Sequence, residues 1–348
     1  MGDPMHELAA FVTRFRALHA FDDVVGWLDR VRPLKVLTVG ETIIDEYAYC
    51  RAVGKSSKEP ILAVNVTSSE AFAGGILAVA NHLSQQCNDV SVCSMLGTVN
   101  PRHDVVDRAL AAAVQRRFVP QEGAPTIVKR RYIDQYFFQK LFEVYEMNDV
   151  LSAKDDSSMC GALEELVPKA DVVVVVDFGH GMLSARAVSI IVEKSKFLAV
   201  NAQSNAGNVG YHTISRYARA DHVSLAEGEL RLEMRDWHEP VESLVEKLCE
   251  RQGYRRIVVT QGSRGCLLWS ADEGLCRVPA FADKIVDRIG AGDAFLSITG
   301  PLSALGAPLT ITGFVGSAMG AEAVATVGNR APVSREALST RMRATLGA

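Results

Sequence analysis

The sequence predicts an α/β fold, a three-layer α/β/α arrangement with a mostly parallel central sheet and a small β lid. Its 348 residues, 48% of them hydrophobic, are enough to bury a large core. Short apolar runs with the composition of buried strands alternate with stretches of helical periodicity along most of the chain. That order is typical of a parallel sheet covered by helices on both faces.

The predicted elements follow one another in a regular order. Apolar residues at helical spacing predict a helical extension over residues 1–33, packed on the core or on a second subunit, and residues 34–348 then form the main domain. Strands are predicted at 35–39, 90–96, 171–177, 197–200 and 256–260, with a hairpin at 266–269 and 275–278. Helices are predicted at 71–84, 105–117, 184–194, 240–251, 292–303, 309–326 and 334–346.

Two segments, 46–67 and 126–146, break this alternation. Both are rich in β-branched and aromatic residues, and neither has a helical period. We expect them to pair as a small separate sheet that acts as a lid and excludes water from a bound ligand. A decorated edge of the main sheet is the alternative.

The charge balance and the cysteine pattern limit which partners the protein can bind and in which compartment it is expected. The net charge is −4, with 37 basic and 41 acidic residues and no long single-sign run, which argues against nucleic acid as a partner. The seven cysteines are scattered and form no C-x-x-C pair, so a reducing cytoplasm is the expected location. No uncharged run is long enough to span a bilayer, and neither secretion nor membrane insertion is predicted.

The most informative motif lies near the C-terminal end, where Gly290, Ala291 and Gly292 precede Asp293 and an apolar helical run. Glycines let the backbone approach a ligand closely, and the unpaired N–H groups at a helix start favour an anion. Asp293 should remain ionised under the helix dipole and could accept the proton of a hydroxyl beside a bound phosphate. The motif therefore predicts phosphoryl transfer, and a Gly-rich loop with an ordinary helix N-cap is the alternative.

Two further segments are candidates for binding the phosphoryl acceptor. Gly74 and Gly75 open the predicted helix 71–84, where a small polar ligand could rest on the backbone; close helix–strand packing is the other explanation. Asp45 follows the first strand at its C-terminal end, where open α/β sheets bind ligands. Its carboxylate suits sugar hydroxyls, although a turn-forming aspartate is the alternative.

Another two segments could bind a nucleotide or line the same crevice. Thr260, Gly262 and Gly265 end a strand in a polar turn that could cradle a nucleotide, or could be a simple hairpin turn. Asp177 also ends a strand, in the flexible sequence Asp177-Phe178-Gly179, and could face the same crevice.

Together these residues resemble the ribokinase (PfkB-type) family of sugar kinases over about residues 34–332. The sequence Asp287-Arg288-Ile289-Gly290-Ala291-Gly292-Asp293 is similar to the family motif D-T-x-G-A-G-D. The resemblance implies a ribokinase-like fold, an anion hole made by Gly290, Ala291 and Gly292, and Asp293 as the base that activates the acceptor hydroxyl.

The resemblance also implies ATP and Mg²⁺ as cofactors and assigns the other residues. Thr260, Gly262 and Gly265 match the nucleotide-binding T-x-G-x-x-G turn of the family. Gly74 and Gly75 match its sugar-binding glycine pair, and Asp45 matches its substrate-binding aspartate. Glu229 resembles the glutamate that indirectly helps to organise magnesium and phosphate.

Within the family, the nearest branch resembles the heptose-phosphate kinases, the kinase domain of ADP-heptose synthase, through segments 40–47, 129–146 and 177–183. Lys129 and Arg131 could then neutralise a phosphate already present on the substrate, while a solvated basic strand end is the alternative. Departures from the family pattern are Ala78, Ala226, Arg288, Ile289 and His180. These departures indicate a substrate that differs from the norm of the branch.

The sequence therefore predicts an ATP-dependent phosphotransferase that phosphorylates a hydroxyl of a sugar or sugar phosphate. Ala78 and Ala226 motivate a rival, a catalytically degenerate sensor of sugar phosphate or nucleotide, and a nucleoside kinase is a second alternative. The sugar, the hydroxyl modified, dependence on a monovalent cation, any following nucleotidyltransferase and a homodimer through the lid or the N-terminal helices stay open.

Overall fold

The computed structural model describes residues 4–347, so the predictions for residues 1–3 and 348 lie outside the described part. Thirteen strands are described: β1 Lys35–Gly40, β2 Thr42–Lys55, β3 Leu62–Gly75, β4 Asp89–Val99, β5 Gln115–Pro125, β6 Ile127–Asp134, β7 Lys140–Glu146, β8 Val172–Asp177, β9 Leu198–Ala202, β10 His222–Ala226, β11 Arg256–Thr260, β12 Cys266–Ser270 and β13 Gly274–Val278. The α-helices are α1 Pro4–Leu18, α2 Phe21–Val31, α3 Ile76–Ser84, α4 His103–Ala109, α5 Ala153–Leu166, α6 Ala185–Lys194, α7 Glu227–Met234, α8 Val241–Gln252, α9 Ala291–Ala304, α10 Leu309–Val324 and α11 Arg335–Leu346.

The central sheet has nine strands in the order β13-β12-β11-β10-β9-β8-β1-β4-β5. All pairs from β11 to β5 are parallel, and β12 and β13 add an antiparallel edge. Strand β8 reads Val-Val-Val-Val-Val-Asp and is buried throughout, because helices cover both of its faces. Val174 belongs to the buried cluster that includes residues of α9 and α10, while Val173 belongs to a second cluster that includes residues of α5 and α6. The predicted three-layer α/β/α fold is confirmed.

A second sheet has four strands in the order β3-β2-β6-β7. Strand β2 pairs antiparallel with β3 and parallel with β6, so segments 46–67 and 126–146 do pair in one small sheet. Only Glu41 separates β1 from β2. The small sheet therefore begins at the C-terminal edge of the central sheet.

Two predicted helices were wrong in part. The helix expected at 71–84 begins only at Ile76, because β3 keeps pairing with β2 as far as Gly75, which lies opposite Thr42. The helix expected at 105–117 ends at Ala109, and residues 115–117 belong to β5, which pairs with β4. In both cases hydrogen bonds to a distant strand outweigh the local helical pattern.

Helices α1 and α2 pack on the main core. The Phe15 ring stacks on the Phe314 ring of α10 with ring centroids 4.5 Å apart, and the ring centroids of Phe11 and Phe281 are 6.1 Å apart. Val24 and Leu28 of α2 are also buried in this core. Within residues 4–347, no helix combines the length and apolarity needed to cross a membrane.

Candidate active site

A cavity of about 320 Å³ lies between the C-terminal edge of the central sheet and the small sheet. The ends of the parallel strands β9, β10 and β11 contribute Asn201, Ala226 and Thr260, and β2 and β6 contribute side chains from the small sheet. Ligands of open α/β sheets bind at this edge. The predicted site residues that line the cavity are Asp45, Gly75, Lys129, Arg131, Glu229, Thr260, Gly290, Gly292 and Asp293. The predicted residues that do not line it are Gly74, Asp177, Gly262, Gly265 and Ala291.

The turn from Gly290 to Gly292 overlaps the start of α9: Gly290 is the N-cap residue, and Ala291 is the first residue of the helix. Gly290 has a φ of 82°, and a side chain there would collide with Asn329, so the fold itself requires this glycine. A methyl group at Gly292 would meet no other atom within 4 Å. Because the first N–H groups of a helix have no intrahelical partner, the turn can bind an anion from the cavity.

Asp293 lies in the first turn of α9 and faces this cavity, although its side chain is only slightly exposed. Gln203 Nε2 donates a hydrogen bond of 3.2 Å to Asp293 Oδ1. Burial, together with the negative charges of Asp45 and Glu229, raises the pKa of the Asp293 carboxyl to about 7. We expected the helix dipole to keep this group ionised; loss of solvation outweighs the dipole instead. A carboxyl group with this pKa can accept a proton near neutral pH.

Asp45 lies on β2, opposite Phe72 of β3 and Lys129 of β6. Its carboxylate accepts a hydrogen bond from the Arg131 guanidinium and rests directly against Gly74, where any side chain would collide with it. Gly74 therefore belongs to a strand and makes room for Asp45, which corrects its predicted place at a helix start. Gly75 precedes α3 with a φ of 55°, close to the Glu41 carbonyl group.

Lys129 and Arg131 alternate with Arg130 along β6, so the first two face the cavity and Arg130 faces away. The Lys129 ammonium lies 5.2 Å from the Tyr145 ring and 5.5 Å from the Phe178 ring, and burial lowers its pKa. Both Lys129 and Arg131 are buried, which does not fit a solvated strand end.

Arg130 differs from its two neighbours. It pairs with Glu46 at 2.7 Å and with Glu146 at 3.1 Å, and its side chain is 23% exposed. Arg130 therefore belongs to an ion-pair network outside the cavity and serves as a natural comparison for Lys129.

Asp177 differs from its predicted place. Its buried carboxylate accepts hydrogen bonds from Arg216 Nη1 at 2.5 Å and Tyr217 Oη at 2.7 Å, and His212 Nε2 lies 3.1 Å away. These three partners hold the carboxylate away from the cavity, which Phe178 lines instead. Asp177 thus stabilises the loop that follows β8.

The predicted nucleotide turn follows β11. Thr260 lines the cavity, while Gly262 and Gly265 have φ values of 60° and 86° in a short turn before β12. A side chain at Gly265 would collide with the Val278 carbonyl group, so the hairpin geometry alone explains that glycine. Gly262 has open space around its Cα, and no structural reason for a glycine there beyond its positive φ is evident.

The Glu229 side chain stabilises the N-terminus of α7 when no ligand is bound. Its two carboxylate oxygens accept hydrogen bonds from Ala226 N at 2.8 Å and Ser204 N at 3.2 Å, and this closes the N-terminus of α7. Burial raises the pKa of the Glu229 carboxyl. Across residues 4–347, no group of three or more His, Cys, Asp or Glu side chains could hold a metal ion.

A magnesium ion bound mainly by water and phosphate oxygens still fits this cavity. Asn201 lines it, and Asn201 Nδ2 donates to Ser224 O at 2.7 Å, which leaves the buried Asn201 Oδ1 without a partner in the described chain. Asn201 and Glu229 are therefore the residues that would contact such a hydrated ion. Neither Asn201 nor Gln203 was predicted, although both follow the predicted strand 197–200 at the ligand-binding edge.

Comparison with known proteins agrees with this architecture. The model of the pfkB family carbohydrate kinases matches residues 33–336. The bifunctional protein HldE of Marinomonas sp. (strain MWYL1) is 28% identical over 266 residues, which are 76% of this chain and 54% of that protein. HldE of Desulfatibacillum aliphaticivorans is 26% identical over 296 residues, or 83% of this chain and 58% of that protein. The chain thus spans little more than half the length of these relatives.

Solved structures share the fold. Phosphofructokinase-2 from Escherichia coli in complex with potassium superposes with a TM-score of 0.72 at 15% identity, covering 90% of this chain and 100% of that one. Ribokinase from Thermotoga maritima superposes with a TM-score of 0.66 at 17% identity, covering 89% and 99%. Because the family model matches residues 33–336, which are most of this chain, the chain belongs to the pfkB family of carbohydrate kinases.

Proposed function

We propose that this kinase transfers the terminal phosphoryl group of ATP to a hydroxyl of a sugar that already carries a phosphate, of the heptose-phosphate class. The observation that carries the proposal is a single cavity with Asp293 and the glycine turn on one side and two buried cations, Lys129 and Arg131, on the other. Cations removed from water require an anionic partner. Arg131 is paired with Asp45 and Glu143, whereas Lys129 forms no ion pair with any residue that the structure describes.

In the proposed reaction Asp293 accepts the proton of the acceptor hydroxyl. The hydroxyl oxygen then forms a bond to the terminal phosphorus of ATP, and the bond from that phosphorus to the bridging oxygen breaks to release ADP. The N–H groups from Gly290 to Gly292 stabilise the charge that develops on the transferred group. Mg²⁺, when bound with the nucleotide, would neutralise phosphate oxygens.

The other site residues act in binding. Asp45 accepts hydrogen bonds from sugar hydroxyls, and Lys129 and Arg131 hold the phosphate that the sugar brings. Thr260, Gly262 and Gly265 border the nucleotide, with Glu229 orienting the hydrated magnesium ion. The small sheet acts as the lid of a kinase domain formed by residues 34–348, and residues 1–33 form its extension. The cytoplasmic location and a homodimer stay predictions.

The resemblance of segments 40–47, 129–146 and 177–183 to the heptose-phosphate kinases supports the heptose class, and the cationic cavity supports a phosphorylated acceptor over a nucleoside. The test is ADP release across hexose, pentose and heptose phosphates, their unphosphorylated sugars and a set of nucleosides. We expect ADP release with a heptose phosphate and much less with the unphosphorylated sugars. Release with nucleosides alone would contradict the proposal, and binding of sugar phosphates without any ADP release would favour the sensor.

A further inference from the structure

The carboxylate of Asp287, the first residue of the motif that ends at Asp293, is fully buried and receives four hydrogen bonds. Its Oδ2 accepts from Tyr47 Oη at 2.5 Å and from Gly328 N at 3.0 Å. Its Oδ1 accepts from Lys140 Nζ at 2.6 Å and from Ile289 N at 3.2 Å. A carboxylate with this set of donors is held in one position.

The four donors come from three separate parts of the molecule. Tyr47 on β2 and Lys140 at the start of β7 belong to the small sheet, and Gly328 belongs to the loop after α10. Ile289 immediately precedes the turn from Gly290 to Gly292, and its side chain packs on the cluster of Tyr47, Phe72 and Ile133 in the small sheet. The Asp287 carboxylate therefore joins the small sheet to the turn that leads into α9.

Lys140 supplies the positive charge at this junction. Burial alone would raise the pKa of the Asp287 carboxyl, but the hydrogen bonds from Lys140 and Tyr47 outweigh it and hold that pKa below its usual value. The Lys140 side chain is 32% exposed, so its ammonium can leave Asp287 for solvent if β7 moves. Without that cation the buried charge would lose its ion-pair partner, and the neighbouring turn would lose a fixed support.

We propose that Lys140 is a positioning residue for phosphoryl transfer, which holds the anion-binding turn in place through Asp287 and so makes the turn depend on the position of the small sheet. The inference rests on the proposed function of the turn from Gly290 to Gly292. Closure of the small sheet over an acceptor then also completes the site for the terminal phosphate of ATP.

The experiment compares the affinities of the folded protein for MgAMP-PNP and MgADP by calorimetry. Only AMP-PNP carries a terminal phosphate analogue for the turn. We expect Lys140→Met to weaken AMP-PNP binding about tenfold and ADP binding less than twofold, a selective difference of about 1.4 kcal/mol. Lys140→Arg should bind both like the wild type. Lys55→Met is the matched control, since Lys55 is an exposed lysine of β2 in the same sheet.

Three results would overturn the inference: AMP-PNP binding unchanged in Lys140→Met, an equal loss for both nucleotides, or failure of Lys140→Arg to restore the ratio. Gly292→Ala distinguishes failure of the proposed function from failure of the role of Lys140. If Gly292→Ala also leaves the ratio of the AMP-PNP and ADP affinities unchanged, the proposed function of the turn fails. If Gly292→Ala alters that ratio and Lys140→Met does not, only the role of Lys140 fails. Should Lys140→Met not fold, Tyr47→Phe takes its place, and the absence of a selective AMP-PNP loss there contradicts the role of the junction.

Discussion

The two glycines of the anion-binding turn are needed for different reasons. Gly290 has a left-handed backbone and Asn329 lies against it, so the fold requires it. Gly292 has room for a side chain and no positive φ, so alanine there should stabilise the protein by roughly 0.4–1 kcal/mol through the lower entropy of the unfolded chain. A glycine that the fold does not need and that lines the cavity is explained by close approach of a ligand.

We predict that Gly292→Ala stabilises the protein slightly and lowers kcat/KM for ATP about 100-fold, because its methyl group displaces the phosphate from the turn. Denaturant unfolding and steady-state ADP release measure the two effects. Gly320→Ala is the control, since Gly320 in α10 also has open space and does not line the cavity. Normal activity in Gly292→Ala would remove this turn from phosphate binding.

The raised pKa of Asp293 predicts a pH dependence. As a base, Asp293 must be ionised, so kcat/KM should fall tenfold per pH unit below about pH 7. Burial also raises the pKa of the Glu41 carboxyl to about 7, but Glu41 does not line this cavity. Glu41→Gln should therefore keep the acid limb of the profile, and its loss in that variant would assign the titration to Glu41.

The same pKa shift has a consequence for stability. The folded protein binds the Asp293 proton more tightly than the unfolded chain, whose value is 3.8, so this group makes folding less favourable as pH rises from about 4 to about 7. Asp293→Asn should accordingly raise the melting temperature more at pH 8 than at pH 5. An equal rise in melting temperature at pH 5 and pH 8 would show that folding does not raise the pKa of the Asp293 carboxyl.

Strand β6 presents cations in opposite directions, and this gives a matched pair of substitutions. Lys129→Met should raise KM for the sugar phosphate that gives the highest ADP release by about 10- to 100-fold, since a charged hydrogen bond contributes roughly 1.5–3 kcal/mol. Arg130→Met should change this KM less than about threefold, because Arg130 does not line the cavity and its guanidinium forms ion pairs with Glu46 and Glu146. Equal effects would mean that β6 acts only as scaffold.

Elements with a strong local pattern were the ones that sequence could predict. The valine run of β8 and the apolar face of α8 follow directly from residue order. Residues 71–75 show the limit, because Ala, Phe and Gly suit several conformations and the pairing of β3 with β2 decides among them. The single helix predicted at 105–117 is in fact the helix α4 followed by the start of β5, and there the pairing of β5 with β4 decides the conformation.

At the scale of the whole molecule, the site depends on contacts between residues far apart in sequence. Asp45 and Lys129 from the small sheet meet Thr260 and Asp293 from the central layers in one cavity. Parallel strand ends share an edge, so sequence reasoning could place Asp45, Thr260 and Asp293 together. It could not identify the Lys140–Asp287 pair, because 147 residues separate the partners and, although Asp287 begins the motif that ends at Asp293, no local pattern marks Lys140.

The N-terminal helices are part of the folded core. Phe15 is 2% exposed and stacks on Phe314, so Phe15→Ala should reduce the free energy of unfolding by about 3–5 kcal/mol. Leu18, which is 68% exposed at the end of the same helix, provides the control, and Leu18→Ala should cost much less. Turnover of the folded fraction should be normal in both. A loss below about 1 kcal/mol for Phe15→Ala would show that α1 packs only loosely.

The central claim is that Asp293 accepts the proton of the acceptor beside a phosphate held by the glycine turn. Its most direct test is single-turnover ADP release by Asp293→Asn, with nucleotide affinity measured in parallel. We predict a rate lower by about 10²- to 10⁴-fold and an affinity for MgATP within about threefold of the wild type. A rate near that of the wild type would contradict the account.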